Sequence, residues 1–277
     1  MPDAAAPPPS ALTPVVLCCF GRGGSSLAWR MIGSSPDVLM MSEEWHVAMG
    51  GGFTLPGRLA RRAYAAGLVS PGGAAMRGLA ALLGPAAARR AVAAVDRAEP
   101  GAKPHASGLA VKLMDYQLVH LPVIAGGFPA VRPAILTRDP LAQAESLMRS
   151  GLSVEAAARW CADVLRLMEW VGARWDAPVF RFEDLLSDPA AFADTLYARL
   201  ALRPPPDGRI GAKRKAFGAE RITDAPAIGP VERLNPEELR AFVDAEVNAK
   251  AIARLSDAER STIRRIVGPG AAAFGYA

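Results

Sequence analysis

The stretch VVLCCFGRGGSSLAW, residues 15–29, decides the fold. Val15 to Phe20 is wholly apolar and runs into glycine, which suits a strand buried on both faces, as in a parallel sheet. From Ser25 the pattern turns helical, with Leu27 and Met31 four apart, and it closes near Gly33 ahead of Pro36. Strand, glycine loop and helix follow one another directly. Glycines let a backbone approach an oxyanion closely, the first amides of a helix point at it, and serine hydroxyls add donors. Phosphate or sulfate is therefore the natural guest of Gly21, Arg22, Gly23, Gly24, Ser25 and Ser26, although a glycine-rich strand-to-helix turn can also be purely structural.

Outward from this loop, short apolar runs recur at Val38 to Met41, Leu109 to Leu113, Ala134 to Thr137 and Val179 to Phe182. Segments with helical periodicity separate most of them, and that alternation predicts an α/β fold, a parallel β-sheet flanked by helices. A long helix is expected from about Ser153 to Trp175, because Ala157, Cys161, Val164, Met168 and Val171 form one stripe. Another begins at Asp188, an N-cap followed by Pro189 at the first helical position. Residues from about 47 to 107 read as a helical insertion, dense in Ala and Gly from 57 onward. Arg58, Arg61, Arg62, Arg77, Arg89, Arg90 and Arg97 are spread through it. They suit solvated helix faces, a lid over an acceptor pocket, or a contact surface. Residues 1–13 are rich in Ala and Pro and expected to be disordered, and 14–277 read as one domain. The segment after Asn235 looks helical and ends in a loose GYA.

Composition sets the bounds. The chain has 277 residues, 51% hydrophobic and 21% charged, which suits an ordinary globular domain. A net charge of +5 favours an anionic ligand but is too weak and too dispersed for a nucleic-acid binder. Cys18, Cys19 and Cys161 form no C-x-x-C spacing, and the adjacent pair would face opposite sides of a strand, so neither a disulfide framework nor a zinc site is expected. The opening residues lack the basic and apolar regions of a signal peptide, and no apolar stretch reaches the roughly 20 residues of a membrane span. The cytoplasm is the expected compartment. The alanine-rich helices leave two packings open, on the same core or against a second copy in a homo-oligomer.

The first loop counts against ATP chemistry of the usual P-loop kind. That chemistry needs G-K-[ST], with lysine on the β and γ phosphates and the next hydroxyl on magnesium, whereas here Gly24 is followed by Ser25. The loop's basic residue is Arg22, placed where it can neutralise a leaving phosphate. A second segment, AILTRDPLAQAESLMRSG, carries arginine at a strand end, proline two residues on and serine eight residues after the arginine: Arg138, Pro140 and Ser146. Arg138 leaves the strand edge while Pro140 starts a helix whose second turn brings Ser146 toward the same opening, so both can reach one phosphate.

GRGGSS in its strand-loop-helix setting resembles the 5′-phosphosulfate loop of sulfotransferases, and the Arg138 to Ser146 segment resembles the family's second signature. VFRFEDLLSDPAAF is similar to its late strand and E-D-L turn, and GLAVKLMDYQL to a strand of bacterial trehalose-type, carbohydrate-acting members. The likeness covers about residues 14 to 202. It implies a P-loop nucleoside-triphosphate-hydrolase-like sulfotransferase fold. It also implies that 3′-phosphoadenosine 5′-phosphosulfate (PAPS) is the co-substrate, with Arg138 and Ser146 on its 3′-phosphate. Two departures stand out. Many cytosolic members carry lysine where this chain has Arg22, which can stabilise a leaving group but cannot give it a proton. Their late basic donor segment has only Lys213, Arg214 and Lys215 as a counterpart here, and these also fit a solvated charge run.

Sulfuryl transfer to an alcohol needs a base for the acceptor proton and positive groups for the departing phosphate, and requires no metal in principle. MSEEWH, after the second apolar run, supplies Glu43, Glu44 and His46. Alternation puts Glu44 and His46 on one face of a continued strand and Glu43 on the other. Trehalose-type members place a catalytic glutamate at about this distance from the loop arginine, which makes Glu44 the first candidate. His46 is second because its ordinary pKa is near neutrality, and Glu43 third. An N-cap or surface carboxylate and a core histidine are the structural alternatives. Lys112, in an otherwise apolar strand, either lines the site and touches sulfuryl oxygens or reaches solvent from a strand end. His105 and His120 are read as structural. The expected activity is transfer of a sulfuryl group from PAPS to a hydroxyl of a small-molecule or carbohydrate acceptor. The alternatives are a P-loop kinase of small metabolites and a non-catalytic nucleotide-binding protein.

Overall fold

The computed structural model describes residues 8–21, 24–41, 45, 62–64, 66–95, 103, 105–213, 215–216, 227–228 and 231–276. Five parallel strands form the main sheet: β1 (Thr13–Cys19), β2 (Val38–Met40), β3 (Gly108–Met114), β4 (Arg132–Thr137) and β5 (Val179–Arg181). Their order is β2-β3-β1-β4-β5, so β1 is central, in register Leu17 to Lys112 on one side and Leu17 to Ala134 on the other. Its continuous apolar run follows from that position, since a strand with neighbours on both edges and helices on both faces meets no water. Cys18 and Cys19 face opposite sides of the strand, and all three cysteines are buried and outside any disulfide.

Helix α1 (Ser25–Ser34) follows β1 and packs on β1, β2 and β3. The chain then leaves β1 toward β3 and β2, while β4 and its helices lead toward β5. Right-handed crossovers that run in opposite directions lay their helices on opposite faces and open a crevice where the direction reverses, here beyond the C-terminal ends of β1 and β4. The glycine loop and the Arg138 turn both leave the sheet at that point.

Other helices begin where the sequence carries caps. In α4 (Pro140–Met148) the Asp139 carboxylate accepts from the amide of Leu141 at 2.8 Å. α5 (Val154–Trp175) is capped by Ser153, and its expected stripe of Ala157, Cys161, Val164, Met168 and Val171 is buried. α6 (Phe182–Ser187) leads to α7 (Pro189–Arg199), whose N-cap is Asp188 as expected. Between β2 and β3, α2 (Ala74–Ala93) exposes Arg77, Arg89 and Arg90, and α3 (Leu121–Ala125), which comes after β3, packs against it. Two short ribbons, β6 (Ile210–Ala212) with β9 (Glu232–Leu234) and β7 (Lys215–Ala216) with β8 (Ala227–Ile228), complete the strands. The chain closes with α8 (Pro236–Phe242), α9 (Val247–Ala253) and α10 (Asp257–Ala272).

Two expectations about the ends change. The described chain starts inside the stretch expected to be disordered: Pro9–Ala11 is a 3-10 turn, Leu12 is buried, and β1 begins at Thr13. The terminal GYA is not loose at its tyrosine. Gly275 adopts φ 75°, the Tyr276 amide bonds Ala271 O at 3.1 Å, and the Tyr276 ring is buried. Among the described residues, no helix is long and apolar enough to cross a membrane.

Candidate nucleotide site

Gly21 and Gly24, at the two sides of the first loop, are held by three side chains. Gly21 donates its amide to Asp115 Oδ1 at 3.1 Å, and its carbonyl accepts from Gln143 Nε2 at 2.8 Å. Asp115 follows β3 and Gln143 lies in α4, so the strands on both sides of β1 hold this peptide. Gly24 is the N-cap of α1 with φ 70° and ψ 3°, a left-handed conformation that costs glycine little. A Cβ there would come within 1.8 Å of the Phe182 ring, so no larger residue fits without displacing it. The first amides of α1 belong to Ser25 and Ser26, whose position at a helix start leaves them without intrahelical acceptors.

Lys112 lies beneath this loop. It is 1% exposed, with Nζ 3.3 Å from Ser26 Oγ and 5.2 Å from the Trp29 ring centroid. Its solvent-reaching alternative is thereby corrected: alternation along β3 turns it toward α1, and both contacts lie on that helix.

The second corner begins where β4 ends. Arg138 is 4% exposed, and its guanidinium lies over Phe182, 5.2 Å from the ring centroid. One aromatic ring thus touches the arginine and closes on Gly24. Arg138 Nε donates to Asn248 Oδ1 at 2.8 Å. Burial lowers the Arg138 pKa while the charges of Glu183, Asp139 and Glu145 oppose that shift, and a guanidinium stays protonated under any working condition. Ser146 is half-buried on α4, three residues after Gln143 and so on the helix face that Gln143 turns toward the first loop.

Behind Arg138 the polar groups continue. Glu183 Oε1 accepts from the Asp139 amide at 2.8 Å and from Asn248 Nδ2 at 2.6 Å, and Glu183 Oε2 accepts from Tyr276 Oη at 2.8 Å. Burial, then the Glu183 charge, raises the Tyr276 pKa far above its ordinary value, so the phenol stays neutral and donates. Beside Asp115, half-buried Tyr116 stacks edge-on with Trp160 at 4.8 Å and Tyr64 at 6.4 Å, and it donates to Asp163 at 2.7 Å. Tyr64 comes from the chain between β2 and β3, so part of that segment reaches the end of β3 from which Asp115 holds Gly21.

Of the residues singled out from sequence, Gly21, Gly24, Ser25, Ser26, Lys112, Arg138 and Ser146 gather around the ends of β1 and β4. Lys213 does not join them by any hydrogen bond or ion pair among the described residues. It follows Gly211, whose amide bonds Ser34 Oγ at the far end of α1, about 15 Å of helix away from the loop. Arg22, Gly23, Glu43, Glu44, His46 and Arg214 lie outside the described residues. Trp45, between two of the base candidates, is buried in the core. Asp115, Gln143, Phe182, Asn248 and Tyr276 were not singled out from sequence, whereas Glu183 is the first residue of the E-D-L turn quoted above. For Asp115 the available signal was an acidic residue directly after an apolar strand in GLAVKLMD.

No protein-family model and no curated protein matches this chain. Solved structures do. The sulfotransferase domain from the Synechococcus PCC 7002 olefin synthase is similar with a TM-score of 0.53 and 16% identity, over 99% of this chain and 98% of that one. The sulfotransferase domain from the curacin biosynthetic pathway is similar with a TM-score of 0.53 and 15% identity, over 96% of this chain and 99% of that one. At such identities the likeness concerns the fold, and the fold is the α/β, P-loop-like one of sulfotransferase domains.

Proposed function

We propose that the protein is a sulfotransferase that uses PAPS and sulfates a hydroxyl of a small-molecule or carbohydrate acceptor. The observation that carries this reading is the joining of two anion-suited corners at one crevice. The Gly21 carbonyl is bonded by Gln143 from the Arg138 helix, and Phe182 touches both Gly24 and Arg138. Two separated corners suit a ligand with two separated anionic groups.

The residues present fit that ligand. A glycine cradle at a helix start offers backbone amides to the 5′ group, with Ser25, Ser26 and Arg22 adding donors. Arg138, with Ser146 on the neighbouring helix face, supplies the 3′-phosphate contact that ATP would leave unused. Lys213, beside the far end of α1, has no part in this reading. PAPS, when bound, supplies the sulfuryl group and leaves as the 3′,5′-bisphosphate. As the acceptor oxygen bonds to sulfur, Glu44 takes its proton, with His46 and then Glu43 as the alternatives. Arg22 neutralises the departing phosphate, and Lys112 beneath the loop meets negative charge on the sulfuryl oxygens. No metal has a role in these steps.

The two similar domains come from an olefin synthase and a biosynthetic pathway, so hydroxyls of biosynthetic small molecules are the first acceptors to test and carbohydrates the second. The aromatic cluster of Tyr64, Tyr116 and Trp160 near Asp115 supports an acceptor with an apolar flank.

Titration calorimetry with 3′,5′-adenosine bisphosphate, against ATP with magnesium, tests the reading. The bisphosphate is expected to bind at least about tenfold more tightly, or about 1.4 kcal/mol. Tight ATP-magnesium binding with indifference to the bisphosphate contradicts it and returns the kinase alternative.

A further inference from the structure

We propose that Asn248, seated on a Glu183 carboxylate that the C-terminal Tyr276 holds, is a positioning residue for Arg138, so that the last residues of the chain tune recognition of the donor's 3′-phosphate. The inference rests on the sulfotransferase reading of Arg138 and goes beyond it. It assigns to the C-terminal segment a part in nucleotide selection.

The chemistry of each group fixes its partner. A guanidinium can take an oxyanion end-on through its two terminal nitrogens or side-on through Nε and one of them. In this protein Nε donates to Asn248 Oδ1 at 2.8 Å, which removes the side-on edge and sets the rotation of the end-on fork. The Phe182 ring beneath the guanidinium constrains its plane. Asn248 cannot be reversed. Its Nδ2 donates to Glu183 Oε1 at 2.6 Å, and a flipped amide would aim N–H at a cation and oxygen at a carboxylate.

Glu183 is held in turn. Its Oε1 also receives the Asp139 amide, the residue immediately after Arg138, and its Oε2 receives the Tyr276 hydroxyl. Tyr276 Oη also lies 3.1 Å from Thr137 Oγ1 and has one proton, which the carboxylate claims, while Thr137 donates to Phe180 O at 3.1 Å. Arg181 covers the Tyr276 ring at 4.5 Å. Asp139 directly, through its amide, and Arg138 through Asn248 thus both bond to the same carboxylate. Asn248 is 8% exposed and Tyr276 7%, so water competes poorly for these bonds. A structural role alone would need only the apolar packing of α9 and the terminal turn, not a polar relay ending on Arg138 Nε.

The test is calorimetry of 3′,5′-adenosine bisphosphate and of adenosine 5′-phosphate on four full-length proteins: wild type, Asn248→Ala, Arg138→Ala and the double variant. The ratio of the two dissociation constants is the readout. Asn248→Ala is expected to reduce the preference for the bisphosphate about tenfold, with the 5′-phosphate constant within about twofold, and to add little once Arg138 is gone. Tyr276→Phe keeps the ring and removes the hydroxyl, and should reduce the preference about threefold. If Asn248→Ala unfolds, Tyr276→Phe decides alone, and an unchanged ratio overturns the inference. An unchanged ratio in Asn248→Ala, with a collapse in Arg138→Ala, overturns it while the donor reading stands. An Arg138→Ala protein that keeps the full preference removes the donor reading at this corner, and the inference with it. Equal loss from Asn248→Ala with and without Arg138 would mean Asn248 acts on general stability, which also overturns it.

Discussion

The two corners flanking the head of β1 are built by different means. The first takes its shape from its own backbone and immediate neighbours: a left-handed Gly24, a helix start, and side chains from the ends of β3, β4 and β5 that close around it. The second is an arginine whose geometry comes from beyond the sheet and the turns that leave its strands, from Asn248 on α9 and through Glu183 from Tyr276. The first corner needs the sheet and the elements that directly follow its strands, whereas the second is complete only when the C-terminal segment has docked. On the proposed reading, the oxyanion cradle is a property of the sheet while selectivity for a second phosphate is set by the C-terminal segment.

Phe182 is shared by both corners, so its removal breaks the comparison most severely. Phe182→Ala should destabilise the protein by about 3–5 kcal/mol in urea unfolding, as for other buried phenylalanines, and weaken both nucleotides together. Gly24→Ala comes next. It strains a left-handed position and drives a Cβ into the Phe182 ring, which should cost about 2–4 kcal/mol and again affect both nucleotides. In the Phe182→Ala background the clash is gone, so the two effects should fall short of additivity by about 1–3 kcal/mol, measured by a double-mutant cycle.

Asp115→Ala tests the first corner without touching the second. Losing the acceptor of the Gly21 amide should cost about 1–2 kcal/mol and weaken both nucleotides by similar factors, while Asp115→Asn retains an acceptor and most of the stability. The smallest effect is expected away from both corners. Asp37 accepts from Arg203 Nε at 2.7 Å and from the Arg203 amide at 2.8 Å, and chiefly the bond to the Arg203 side chain lowers its pKa. A carboxylate lowered in the folded state contributes stability above its unfolded pKa of about 4 and loses it as pH falls through the folded value. Asp37→Asn should accordingly cost at most about 1 kcal/mol at pH 7, less in high salt, and nothing near pH 2, with nucleotide binding unchanged.

What was legible in the sequence follows the same division. The run from Val15 to Trp29 carries its own strand, turn and helix signals within a few residues, and Asp139–Pro140, Ser153 and Asp188–Pro189 announce helix starts by local chemistry alone. Arg138 was visible because its helix begins two residues later. Its partners were not, because a hydrogen bond between residues 110 apart leaves no local pattern. The terminal GYA read as loose since chain ends without partners fray, yet a Gly275 turn and one hydroxyl bond to Glu183 hold its tyrosine. Lys112 stood out as a charge in an apolar strand, and only the packing of α1 decides which way it points.

The central claim is that the first corner serves the 5′ end of a nucleotide and the second its 3′-phosphate. Calorimetry of Arg138→Ala with 3′,5′-adenosine bisphosphate and with adenosine 5′-phosphate tests it most directly. The account predicts that the bisphosphate loses about 100-fold in affinity, the scale of a charge-assisted contact, while the 5′-phosphate changes by less than about threefold. Equal losses for the two nucleotides would contradict it.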